Sequence, residues 1–213
     1  ATVIGVGLMV SSFRLSVDEW LRQTLVADFY LAVDEAWCEG AGGLDPLAAD
    51  LYRLPAIDEV TYSQRIRVQA GGEEWRLWAV DPGRRGLGSA ILEGDPATAR
   101  ARFDAGEAVL VSEPWANRRG TRVGEIISLP TPQGVVDFPV AGVFRDYTSD
   151  RGVIALHRDR YRELWGDACS EGVGVTFAPG TDDTTARRAI ESVLPEGSAI
   201  WLSNNAELRA ASL

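Results

Sequence analysis

Lysine is absent from this chain of 213 residues, and all 21 basic residues are arginine. That excludes Schiff-base chemistry, a Ser-Lys dyad and a P-loop lysine. Histidine occurs once, at His157, which leaves no material for histidine-rich zinc sites. The two cysteines, Cys38 and Cys169, are too few for a zinc site and too far apart for a CxxC redox pair. Against the arginines stand 31 acids, a net charge of −10, and so acidic a chain offers no basic face to a nucleic acid. Composition therefore points away from an enzyme. Catalytic, cofactor and metal residues are all expected to be none.

What is present is the material of an ordinary folded protein. The chain is 46% hydrophobic and 24% charged, and its length suffices to bury a core without metal staples. Its first ten residues, ATVIGVGLMV, carry no charge. They make about half of the roughly 20 apolar residues that a membrane span needs, and no basic segment precedes them as in a signal peptide. Phe13, Val17, Trp20, Leu21 and Leu25 then recur at helical spacing, with no Gly or Pro between residues 8 and 39. This profile predicts the end of a membrane helix continuing as a stalk over residues 1–26. At the other end Ser203, Asn204 and Asn205 offer N-caps, and a helix begins that has no stop signal, so 204–213 reads as the start of a return helix.

Between the ends, period-two patterns predict strands at 28–34, 60–68 and 74–80, with a helix opened by Asp45-Pro46 after the first strand. Residues 82–94 read as irregular. A helix capped by Asp95-Pro96 is followed by short strands at 108–112, 125–129, 135–138 and 140–144, punctuated by Gly and Pro. Then come a strand at 153–156, a helix at 158–165, a strand at 173–177, a helix capped at 181–183, and a last strand at 198–202. The two β-α-β units and their β-rich insertion imply an α+β fold. The expected form is a split ferredoxin-like, porter-type α/β lobe (27–91 and 151–203) with an inserted, mainly β lobe at 92–150. The glycine-rich loop 83–88 and segment 148–152 are the expected hinges.

Candidate chemistry is sparse. The run GRRGLG from Gly83 lacks the GK[ST] ending of a phosphate loop and reads as a flexible loop. Asp146, Asp150, Asp182 and Asp183 fit turns and helix caps better than a calcium loop. His157 reads as a residue at a strand end. Trp75 and Trp78 have opposite parity on one strand, so they should face opposite sides, and one of the two is a candidate for an exposed contact surface.

Three stretches resemble FtsX-like/MacB-like ABC transporter permeases: GVGLMVSSFRLSVDEWLRQTLVADFYLA, GEAVLVSEPWANRRGTRVGEIISLPTPQGVVDFPVAGVFRDYTSDRGVIAL and the closing SNNAELRAASL. The resemblance implies an extracytoplasmic domain held at a cell membrane through flanking helices. ATP would be hydrolysed by a separate cytoplasmic ATP-binding subunit. A second permease copy or an envelope protein would be a further partner. The implied role is non-enzymatic: coupling ATP-driven motion of the membrane helices to export or handling of a lipid, lipoprotein, peptide or drug. The alternative is an interaction or sensor module that recruits an envelope partner. A transporter domain should hold an apolar groove between its lobes, whereas a recruiter needs only a flat patch.

The topology bears on the cysteines. If 28–34 and 173–177 are neighbouring antiparallel strands, Cys38 and Cys169 fall at the same sheet edge. An oxidising extracytoplasmic setting would let a disulfide between them persist, two free thiols being the alternative.

Overall fold

Residues 12, 16, 21, 24–34, 37, 43–70, 73–87, 90–146, 148–166 and 169–212 are described by a computed structural model. In chain order the elements are β1 (Phe29–Ala32), α1 (Asp45–Leu51), β2 (Ile57–Ala70), β3 (Glu73–Asp81), β4 (Ile91–Glu93), α2 (Pro96–Asp104), β5 (Val109–Ser112), α3 (Glu113–Arg119), β6 (Ile126–Thr131), β7 (Gly134–Phe144), β8 (Val153–His157), α4 (Arg158–Trp165), β9 (Gly172–Phe177), α5 (Asp183–Glu191), β10 (Trp201–Asn204) and α6 (Asn205–Ser212).

The first and last elements build a ferredoxin-like half. β1-α1-β2 and β9-α5-β10 interleave in the order β10-β1-β9-β2, every pair antiparallel. Alternation fixes which residues face the helices: Phe29 and Leu31 of β1, Val60 of β2, and Val173 and Val175 of β9. They pack with Leu47, Leu51 and Ile190 of α1 and α5 in one apolar cluster.

The same sheet continues past β2. Its order runs on through β3-β8-β5-β7-β4, with β6 paired to β7 and the pairs β3·β8 and β5·β7 parallel. Segments 27–91, 92–150 and 151–203 thus share one ten-stranded sheet among the described residues. Trp75, Leu77 and Ala79 of β3 join Val109, Val111, Ile154 and Leu156 beneath Trp115 of α3 and Tyr161 and Leu164 of α4. On the opposite face Val80, Leu110, Phe144 and Ala155 pack with Phe103 of α2.

Most element positions follow from the sequence pattern, and the differences have local causes. α3 occupies residues that carry no clear helical period. Pro114 sits in its first turn, Gly120 closes it at φ 68°, and burial of Trp115 edge-on to Trp75 at 5.6 Å holds it down. β4 forms within the stretch read as irregular, by pairing with β7. β7 runs unbroken through Pro139. Val140 N donates to Glu125 O at 2.8 Å, so the nitrogen of residue 139 faces the other side, where β5 begins to pair only at Val140. The missing N–H breaks no ladder there. Strand β10 begins at Trp201, and α5 ends at Glu191.

Of the expected N-terminal helix, residues 12, 16, 21 and 24 are helical, and Leu25 N donates to Leu21 O at 2.7 Å. Leu25 and Val26 are not helical. The apolar run 1–10 lies outside the described residues. Among the described residues no helix is long and apolar enough to cross a membrane.

Candidate functional site

The face of the ferredoxin-like half turned away from α1 and α5 is built from the residues that alternate with its core. β9 supplies Gly172 and Gly174, which alternate with Val173 and Val175. Gly174 stands opposite Tyr30 on β1 and Thr61 on β2; Gly172 stands opposite Ala32 and Ser63. Ser63 pairs in turn with Val80, and Arg65 with Trp78. Gly172 leaves the floor open, since an added Cβ would meet nothing closer than 3.6 Å, so a hollow opens there; over Gly174 the Thr61 hydroxyl and Ala27 already stand close.

A cavity of about 350 Å³ fills that hollow. Its floor is the sheet, from Tyr30 and Ala32 across Gly172 and Gly174 to Thr61, Ser63 and Val80. One side is closed by residues 24–27, just before β1, and by Leu208 of α6. The other side is closed by Trp78, Leu87, Ala90 and Phe144, where the inserted elements begin. The lining is mostly apolar.

Several polar groups of the wall have protein partners. Trp78 Nε1 donates to Ser63 Oγ at 2.8 Å, and the Trp78 ring lies 6.1 Å from that of Phe144. Thr61 Oγ1 donates to Gly174 O at 3.3 Å. The Tyr30 hydroxyl accepts from Ala27 N at 2.9 Å, and burial pushes its pKa up to about 12. Arg65 donates to Thr148 Oγ1 at 2.9 Å while its guanidinium lies 5.5 Å from the Trp78 ring centre.

The segment before β1 and the start of α6 are fastened to each other beside the cavity. Asn205 Nδ2 donates to Leu25 O at 2.6 Å and Ala27 O at 3.2 Å, and Asn205 N to Asp28 O at 3.1 Å. α6 opens with a capping box: Glu207 N donates to Asn204 Oδ1 at 2.7 Å and Asn204 N to Glu207 Oε2 at 2.8 Å. Glu207 also pairs with Arg187 of α5 at 3.1 Å.

The residues singled out in the sequence separate cleanly. Trp75 is buried in the core, while Trp78, of opposite parity, lines the cavity. The loop after Gly83 is tied down: Arg84 bonds Asp58 and Glu59, and Arg100 donates to Gly83 O and to Gly86 O, the latter at 2.6 Å. His157 ends β8 and caps α4, accepting from Asp159 N at 3.3 Å. Asp182 caps α5; Asp146 is buried and accepts from Thr148 N at 2.7 Å; Asp150 is exposed. Among the described residues no three His, Cys, Asp or Glu side chains gather so as to hold a metal ion. Cys169 is buried and disulfide-bonded, whereas Cys38 lies outside the described residues. Sequence reasoning missed the glycine floor. Its signal was present in GVGV, where period two puts both glycines on one face.

A model of the MacB-like periplasmic core domain family matches residues 1–193. The uncharacterized ABC transporter permease protein Rv0987 of Mycobacterium tuberculosis is 29% identical over 220 residues, covering 99% of this chain and 26% of that protein. The chain thus spans about a quarter of the curated relative's length. The periplasmic region of MacB from Actinobacillus actinomycetemcomitans superposes with a TM-score of 0.61 at 12% identity, over 90% of this chain and 95% of that one. The extracellular domain of the ABC-type transporter YknZ from Gram-positive bacteria gives 0.54 at 13%, over 84% and 99%. Both structural likenesses concern the fold.

Proposed function

The chain belongs to the MacB-like periplasmic core domain family and is the extracytoplasmic domain of a MacB-like ABC transporter permease; from that premise we propose that it couples ATP-driven motion of flanking membrane helices to export or handling of a lipid, lipoprotein, peptide or drug. In this reading the domain is held at the cell membrane and performs no catalysis. A cytoplasmic ATP-binding subunit supplies the energy, and a second permease copy or an envelope protein completes the assembly.

One observation carries the reading. The apolar cavity takes part of its wall from residues 24–27 and Leu208, in the segments that flank the ferredoxin-like half before β1 and after β10. Displacing either segment changes the shape of the cavity, so motion entering through these segments reaches a ligand-sized space directly. The Asn205 clamp makes the two segments move together.

The test is Asn205→Leu in the full permease reconstituted with its ATP-binding subunit. Transport should fall several-fold while ATP hydrolysis persists. Unchanged transport would remove the clamp, and with it this route of coupling. The recruiting-module reading is favoured by Ile126 and Val135, 58% and 70% exposed on the outer face of the β6–β7 hairpin. A Val135→Asp variant separates the two: loss of activity there, with Asn205→Leu silent, supports recruitment.

A further inference from the structure

The cavity's chemistry restricts what it can hold. Its interior hydroxyls and the Trp78 indole are already hydrogen-bonded within the protein, so a polar ligand would give up hydration with little return. An apolar ligand gains from the area it removes from water. The volume, about 350 Å³, stands near the low end of ligand pockets and suits one alkyl chain better than two.

The mouth carries charge, and its two signs are not equally engaged. Asp81 Oδ1 accepts from Gly83 N at 3.0 Å and Asp146 Oδ1 from Thr148 N at 2.7 Å, so both acids serve their own turns. Arg145 also lines the cavity, and among the described residues its buried Nε has no hydrogen-bond partner. A buried donor without an acceptor is costly, and an anionic oxygen is the acceptor that fits a guanidinium best. We propose that the cavity binds one alkyl chain of an anionic amphiphile, with the carboxylate or phosphate head on Arg145. The inference rests on the transport reading for its purpose, since it names the ligand class that the coupled motion would act on.

The test is calorimetric titration of the 213-residue chain with decanoate, decyl phosphate and decanol below their aggregation concentrations, and with phosphatidylglycerol vesicles as the two-chain arm. Decanoate and decyl phosphate should bind about tenfold or more tightly than decanol, as a charge-assisted hydrogen bond predicts. Arg145→Gln should erase that preference and leave decanol binding unchanged. Gly172→Leu should block all three probes, because the added Cβ meets nothing closer than 3.6 Å and the rest of the side chain fills the space. Ala32→Phe, on the same face, is the second blocking variant should Gly172→Leu not fold. Equal affinity for decanol and decanoate, no binding to the unaltered chain, or uptake of vesicle phospholipid in place of decanoate would each overturn the proposal. Binding is read without ATP, so its failure is distinct from a failure of coupling, which the Asn205→Leu permease reports.

Discussion

Tyr30 links the cavity wall to the stability of the domain. Burial is the main reason its pKa rises from 10.0 to about 12, and Asp28 adds to it, while the Ala27 N–H and Arg209 oppose it. The folded chain therefore resists ionisation of this phenol. The contribution is fully present below pH 10, the unfolded value, and is lost as pH rises through about 12. Two units correspond to at most about 3 kcal/mol. A Tyr30→Phe variant should lose less stability than the parent between pH 9.5 and 11.5, measured by urea unfolding at both. Cys169 gives a second prediction at this scale. We propose Cys38, the only other cysteine of the chain, as its disulfide partner. Closing so long a loop is worth about 4–5 kcal/mol in the chain-entropy model. Denatured, unreduced protein should show no free thiol, and reduction should lower the melting temperature; two free thiols would refute the pairing.

Among the elements, α2 and α5 begin in the same way. Asp95 accepts from Thr98 N at 2.9 Å, and Asp182 from Thr185 N at 3.0 Å. Bonds from the threonine hydroxyl and then from the backbone N–H hold both carboxyls below their usual pKa. Their stabilisation is present above the unfolded value of about 4 and is lost as pH falls through the lower folded value. Asp182→Ala should melt at a lower temperature at pH 7, with the gap to the parent closing at acid pH. A tighter junction joins α3 to the turn before β8. Gly152 has φ 84°, and a Cβ there would collide with the backbone of Trp115. Gly152→Ala should cost about 2–4 kcal/mol from strain and overpacking together, read in urea unfolding. A variant as stable as the parent would mean that α3 gives way freely.

For the molecule as a whole, the continuous sheet opposes independent lobes. β2 pairs with β3 over nine positions, from Tyr62↔Asp81 to Ala70↔Glu73, and β3 pairs with β8. The loop expected as a hinge is bound to β2 through Arg84 and to α2 through Arg100. The isolated chain should therefore unfold in one transition, with tryptophan fluorescence and far-ultraviolet dichroism superimposable. Two separated transitions would show that the lobes are energetically distinct. The net charge of −10 should keep the domain soluble at neutral pH.

The sequence by itself determined most of the secondary elements (though not α3 or β4), the ferredoxin-like order of β1, β2, β9 and β10, and the family resemblance, because alternation and capping are local signals that survive without tertiary context. Parity also separated Trp75 from Trp78, and GVGV held the glycine floor in plain view. What parity could not say is which face of the sheet would be covered. Residues 24–27, Leu208, Leu87 and Phe144 are far apart in the chain, and no local pattern ties them to one space. The tertiary structure decided that they meet above Gly172 and Gly174. It also decided that Asn205 holds the segment before β1 to the start of α6, and that the inserted strands extend the first sheet instead of forming a separate one. Strand pairing and cavity closure are contacts between segments distant in sequence, and their energies are set by what the rest of the chain brings alongside.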